Sequence, residues 1–351
     1  MKNYNPSVGY LKALGILLMV FGHSGNTNHI NHFIYMFHMP LFFIASGYCF
    51  KDKYLSTPRK YIYNKVKGIY WPYVKWSLLF LLLHNVCFNL HLYSDQYGWK
   101  EYVSHLYAPS EFLSLATSII FKMQEHEQLL GGYWFMNALF FGSLIVWLVI
   151  RYVKQPLCGG AILIVICTIL NKTCWQIPFI NISSQAFAAA LLIYIGYSLA
   201  KYRIKPFKYW QITLSLSITL IGSFVWNMAM DQNSYSNKRF IPYIITAVLA
   251  SWSFYSLFDK MKSSHGICAK ALDFIGKNTL TILTWHFLAF KLVSLVIIGI
   301  YDLPTERLAE FPVIKEYSEQ GWWIAYFSVA IIVTCGIANS NKWIKNSWLK
   351  L

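Results

Sequence analysis

Ten stretches of this chain are long and apolar enough to need a lipid or protein environment, and the loops between them alternate in charge. The stretches lie near residues 8–24, 33–50, 69–92, 133–150, 157–173, 184–200, 210–229, 240–258, 274–300 and 321–340. A helix needs about 20 mostly apolar residues to cross a bilayer. With 56% apolar, 18% aromatic and only 13% charged residues, against about 25% charged in soluble domains, the chain reads as an all-α, polytopic membrane bundle of about ten transmembrane helices. The first stretch has the length of a signal peptide. However, "GHSGNTN" after it offers no small-x-small cleavage site, and the next span opens within a few residues.

A net charge of +16 raises the possibility of nucleic-acid binding, which the distribution of that charge excludes. Lysine and arginine crowd into every second loop: "KDKYLSTPRKYIYNKVK", "RYVK", "KYRIKPFK", "DKMKSSHGICAK" and the tail "NKWIKNSWLK". The other loops are acidic or mixed, among them "MQEHEQ" and "YDLPTERLAEFPVIKEYSEQ". The positive-inside rule puts the basic set, and both termini, in the cytoplasm. Tryptophan and tyrosine gather at span ends ("WPY" 71–73, "YW" 133–134, "WW" 322–323), as an interfacial belt requires. The seven cysteines are scattered without a C-x-x-C pair and read as small apolar residues. No repeat or long linker divides the chain, so residues 1–351 are expected to form a single integral-membrane domain.

The first span keeps Lys12 at one end and His23 at the other. Eleven residues make about three helical turns, so both side chains share a face, roughly 16 Å apart along the axis. Lipid exposure of either would be costly, which turns that face toward the bundle interior or a wet cavity. Taken alone, Lys12 is also consistent with a lysine snorkelling to the headgroups, and His23 with an interfacial histidine. The residues that follow add context. In "FHMPLFFIASGY", Pro40 suits the first turn of a new helix, and Ser46 and Gly47 permit close helix approach.

The run "KALGILLMVFGHS" followed by "FHMPLFFIASGY" resembles the integral-membrane acyltransferase-3 family, most closely its fucose 4-O-acetylase-like members. "NKVKGIYWPYV", "YWFMNALFFGSLI" and "FIGKNTLTILTWHF" resemble further family segments, so the similarity spans about 290 residues. The resemblance implies that His23 is essential for acyl transfer and that acetyl-CoA is the donor. The donor's phosphates would suit a basic cytoplasmic mouth of Lys12, Lys65 and Lys67. Two departures stand out. Many members carry arginine at the Lys12 position, and the second basic residue of the family's Arg-x-x-Arg falls here on Gly68, which leaves Lys67 as a substitute. The acceptor implied is a cell-surface glycan or its lipid-linked precursor, and the location a bacterial inner membrane.

Imidazole can serve as the base that takes a sugar hydroxyl proton, or as a nucleophile that holds the acyl group. A lone imidazole needs an orienting partner. The candidates are Ser24, His38, Asn137 and a backbone carbonyl, with His38 expected beside His23. Trp134 and His286 are candidates for acceptor binding; belt anchoring and an interhelical hydrogen bond are their structural alternatives. No metal is expected: His23, His29, His32 and His38 come without a carboxylate or thiolate in the hairpin. "EHE" at 125–127 is expected to be a solvated loop. A transporter or flippase of lipid-linked glycan is the main rival, because Lys12 and His23 could equally line a substrate path. A membrane-bound O-acyltransferase of the other large class would instead favour the late His286, and a glycan polymerase would change polymer length.

Overall fold

The computed structural model describes residues 4–26, 28–99, 103–153, 155–173, 180–226 and 239–348. Cys174 and the end of the seventh expected span, 227–229, lie outside the described residues. Among the described residues the chain is helical throughout, with no strand. Five helices are long and apolar enough to cross a membrane: Pro6–His23, Trp134–Tyr152, Phe240–Met261, Thr279–Tyr301 and the run Lys315–Ser340. Two shorter apolar helices, Pro156–Leu170 and Tyr209–Val225, coincide with the fifth and seventh expected spans.

The second expected span, 33–50, is not one helix. It is divided into α2 (Asn28–Tyr35) and α3 (Pro40–Tyr48), with turns at 36–39 between them. Pro40 sits at the start of α3, where its missing N–H costs no hydrogen bond, but in a continuous helix the same residue would break the ladder. Pro72 also opens a helix, α6 (Trp71–Asn89), directly after a π-turn at Val66–Tyr70.

By its contacts the chain forms two compact units. The first comprises Met1–Gly15, Asn28–Tyr73 and Trp134–Gly276. At its centre lies α10 (Ser184–Lys201), whose run "AFAAALLIYIG" is almost wholly buried against α3, α8 (Trp134–Tyr152) and α9 (Pro156–Thr173). Lipid is as apolar as leucine, so membrane helices associate through close packing and not through water exclusion. The sequence meets that need with small residues. A Cβ on Gly47 would lie 1.8 Å from the Ile193 carbonyl oxygen, and one on Gly196 2.1 Å from that of Ile44. Backbone therefore meets backbone where α3 crosses α10. Gly142 gives α8 a similar approach, 3.0 Å from the Ala186 carbonyl oxygen.

The second unit comprises Ile16–Thr27, Val74–Tyr133 and Lys277–Leu351. Its axis is α14 (Thr279–Tyr301), packed along α16 (Trp323–Trp348). Thr284, Ser294 and Lys291, buried on α14, find partners within the unit. Thr284 pairs with the Tyr133 hydroxyl at 2.7 Å, Ser294 with the Tyr326 hydroxyl at 2.9 Å, and Lys291 donates to the Glu310 carbonyl at 2.5 Å. Satisfied in this way, a long apolar helix tolerates threonine, serine and even a 2% exposed lysine.

Candidate functional site

His23 is the last residue of α1 (Pro6–His23) and is half-buried. The chain turns immediately after it, and several contacts fix that turn. Ser24 Oγ donates to the Phe21 carbonyl at 2.7 Å, and Asn26 Nδ2 donates to the same oxygen at 2.6 Å. Gly25 adopts φ +78°, where a side chain would be strained, and a Cβ there would stand 2.1 Å from Ser318 Oγ. Ser318, fully buried, reaches the carbonyls of Ser24 and Gly25 at 2.7 and 2.9 Å. Ser24 thus caps the helix end with its hydroxyl and acts on the backbone that carries His23. Ser318, almost 300 residues away in sequence, completes that support and had no signal in the sequence.

The ring of His23 lies 5.7 Å from that of His286 and 5.0 Å from that of Phe287, centroid to centroid. His286 is fully buried and places Nδ1 2.9 Å from the Leu283 carbonyl oxygen. A carbonyl only accepts, so Nδ1 carries the hydrogen and the neutral ring leaves Nε2 as a bare lone pair. Among the described residues that Nε2 has no hydrogen-bond partner. Phe287 separates the two imidazoles from Phe311, whose ring centroid is 4.6 Å from its own. The second unit therefore brings together two of the residues singled out from sequence. They form a pair of imidazoles, one half-exposed and one buried, against an aromatic wall.

The first unit gathers the cations. Lys12, Lys51, Lys65 and Lys67 all belong to it. Lys65 Nζ donates to Ser143 Oγ at 3.0 Å and rests over the Tyr61 ring, whose own hydroxyl donates to the Ser143 carbonyl at 3.0 Å. Burial pushes the Lys65 ammonium down to about 8, so it remains largely charged at neutral pH. Lys67 is exposed, with its ammonium 5.9 Å from the Tyr63 ring centroid. Lys12, Lys65 and Lys67 thus share one unit, with Lys65 held by Ser143 and Lys67 at the surface.

The remaining candidates belong to the first unit. His38 is 6% exposed in the break between α2 and α3, with Nδ1 3.0 Å from the Ile34 carbonyl oxygen and its ring against Tyr35. Asn137, also buried, donates to the Asn181 carbonyl at 3.1 Å. Trp134, the first residue of α8, is partly exposed.

The segment read as a solvated loop is instead a buried hub of the second unit. His126 is 4% exposed and Glu127 1%. Glu127 holds His84 Nδ1 at 3.2 Å, and Gln128 links the Trp99 N–H to the Leu92 and Ala309 carbonyls. His126 Nε2 contacts Ser118 Oγ at 2.5 Å. Composition suggested solvent because charge in a loop usually means water, yet here the loop folds back under its neighbours.

Two neighbouring groups of this hub titrate in opposite senses. Burial pushes the His126 imidazole down to about 4 from 6.5 and the Glu125 carboxyl up to about 7 from 4.5. Between pH 6.5 and 4 the folded state binds fewer protons at His126 than the unfolded chain does, so stability present above 6.5 is lost as pH falls. Between pH 7 and 4.5 it binds more at Glu125, so a penalty present above 7 is relieved as pH falls. Each effect is on the order of 3 kcal/mol. Detergent-solubilised wild type is expected to melt at a nearly constant temperature from pH 6.5 to 4.5. Glu125→Gln exposes a steep acid loss, whereas His126→Gln gains stability on acidification. Identical profiles for all three proteins would refute this account.

A family model described as an acyltransferase domain matches residues 5–338, nearly the whole chain. No curated protein and no solved structure matches it to the same standard.

Proposed function

Because the chain belongs to the acyltransferase-3 family, we propose that it transfers an acetyl group from cytosolic acetyl-CoA to a hydroxyl of a cell-surface glycan or of its lipid-linked precursor. In this reading it sits in a bacterial inner membrane, crossing it ten times with both termini in the cytoplasm. The observation that supports the chemistry is the pairing of a half-exposed His23 with the bare, buried Nε2 of His286. The acceptor hydroxyl gives its proton to the His23 ring as its oxygen attacks the thioester carbonyl. The new C–O bond forms, the C–S bond breaks, and CoA leaves as a thiolate that takes the proton back from His23. His286, its tautomer fixed by the Leu283 carbonyl, supplies a second nitrogen that can share that proton. Lys12 and Lys65 give the donor's phosphates charge-assisted contacts.

Membranes containing the protein, supplied with radiolabelled acetyl-CoA, test the proposal directly. Label should enter the glycan or glycolipid fraction and be released by mild base, as an O-ester is. Absence of transfer from wild type with acetyl-CoA, together with altered glycan export, would favour the transporter.

A further inference from the structure

Lys291 sits at the middle of α14, 2% exposed, in a helix long and apolar enough to span a membrane. A charge at that depth is costly and is kept where it serves a function. Its ammonium donates to the Glu310 carbonyl at 2.5 Å, whereas the Glu310 carboxylate is turned to Arg307. The proposed acyl transfer uses none of these groups. A methionine at 291 would be of similar length and need no partner, so the reason for the lysine lies in what it holds.

It holds the peptide that leads into Phe311. The Glu310 carbonyl belongs to the same planar unit as the Phe311 nitrogen, so fixing one fixes the entry of the other. A charge-assisted hydrogen bond is also about twice as strong as a neutral one. Neighbouring peptides are tied as well: Gln128 donates to the Ala309 carbonyl at 3.3 Å, and the Ile314 N–H donates to the Tyr326 hydroxyl at 3.2 Å. The Phe311 ring thus enters a defined slot. The ring centroids of Trp99 and Phe287 lie 5.0 and 4.6 Å from its own, and Lys291 Nζ lies 5.9 Å away. Gly131 makes room for it, since a Cβ there would stand 3.2 Å from Phe311 Cζ.

Phe287 passes that placement on. It lies four residues before Lys291, on the same face of α14, and its ring is 3.9 Å from that of His286 and 5.0 Å from that of His23. The connection from α14 to α16 that carries Phe311 also carries Ser318, whose hydroxyl holds the turn after His23. One segment therefore supports His23 twice, at its backbone through Ser318 and at its ring through Phe311 and Phe287.

We propose that Lys291 is a positioning residue for acyl transfer: by anchoring the peptide between Glu310 and Phe311 it seats Phe311 against Phe287 and so fixes the two imidazoles in place. The inference rests on the role proposed above for His23 and His286.

The test uses the full-length protein in nanodiscs and two readouts. One is transfer from radiolabelled acetyl-CoA to native membrane glycolipid, resolved into kcat and the KM for acetyl-CoA. The other is the rate at which diethyl pyrocarbonate modifies His23, read by peptide mass spectrometry, which needs no acceptor. Lys291→Met is expected to lower kcat about 10–100-fold, the cost of a small misplacement, with KM for acetyl-CoA unchanged. It should also speed modification of His23 severalfold while exposed His105 reacts as in wild type. Phe311→Leu, which keeps the Lys291 bond and removes the ring, should do the same, and the double variant should be no worse than either single. Asn85→Ala, which breaks two bonds to the Tyr107 backbone in the same unit, should lower the melting temperature without moving kcat or the reactivity of His23. A Lys291→Met protein that melts lower yet keeps wild-type kcat and His23 reactivity would make the lysine a clip for the fold alone. Should Lys291→Met fail to fold, a folded Phe311→Leu with wild-type values overturns the proposal equally. If wild type transfers no acetyl group but both variants still expose His23, the positioning stands and the donor assignment falls. If transfer and His23 reactivity are intact in both variants, the positioning falls and the proposed function stands.

Discussion

His23→Ala lowers acyl transfer by about 10²–10⁴-fold, the usual value of a positioned acid–base group, with no comparable loss of thermal stability. The ring is half-exposed at a helix end and faces His286 and Phe287, so its removal opens space at an accessible surface, not a void in a closed core. The turn that presents it is held by Ser24, Asn26 and Ser318 through backbone carbonyls, and those bonds do not depend on the imidazole. His286→Phe makes the complementary case. It keeps an aromatic ring beside Phe287 but removes the bare Nε2, so transfer should fall while packing is largely retained. The measurement is initial rate against acceptor concentration, alongside melting in detergent and glycan export in cells. Full activity in His23→Ala would make the residue structural. Lost export with transfer intact would point to a transport path.

Much of this site could be read from sequence wherever the information was local. The positions of Lys12 and His23 on one helix follow from the 3.6-residue period, and Pro40 marked a helix start that the structure shows. Gly47 was visible as a close-approach residue, although its partner Gly196 was not, because the crossing joins segments about 150 residues apart. The same limit explains Ser318, which acts through a fold that gathers distant residues and stands in no pattern that periodicity could detect. His286 drew attention only by resemblance; its place beside His23 is a tertiary fact. The break at 36–39 was missed because hydropathy is continuous across it, even though Pro40 was in plain view. For 125–127, loop composition suggested solvent, whereas burial is decided by what packs over a loop.

That buried loop carries the largest expected stability effect. Glu127→Ala should destabilise the protein by about 3–5 kcal/mol, the usual cost of removing one partner of a buried charged pair. His84 is 0% and Glu127 1% exposed, so water cannot replace the lost carboxylate. His84 Nε2 faces the His105 carbonyl oxygen at 3.0 Å, and its ring stacks on Tyr107 with centroids 3.5 Å apart. Asn85 bonds the backbone of Tyr107 in both directions, so the segment around 103–107 is fixed through neighbouring residues of α6. Removing the acid leaves His84 Nδ1 facing nothing, and the ring cannot turn without losing both the stack and the carbonyl. If the pair serves only the fold, the double variant His84→Phe, Glu127→Leu should recover most of the loss, because replacing both members with apolar groups is often close to neutral. Melting of the two singles and the double closes the cycle. A Glu127→Ala protein that melts like wild type would show that the pair contributes nothing to stability. A double variant that melts normally but no longer transfers acyl groups would move the pair from the scaffold into the reaction.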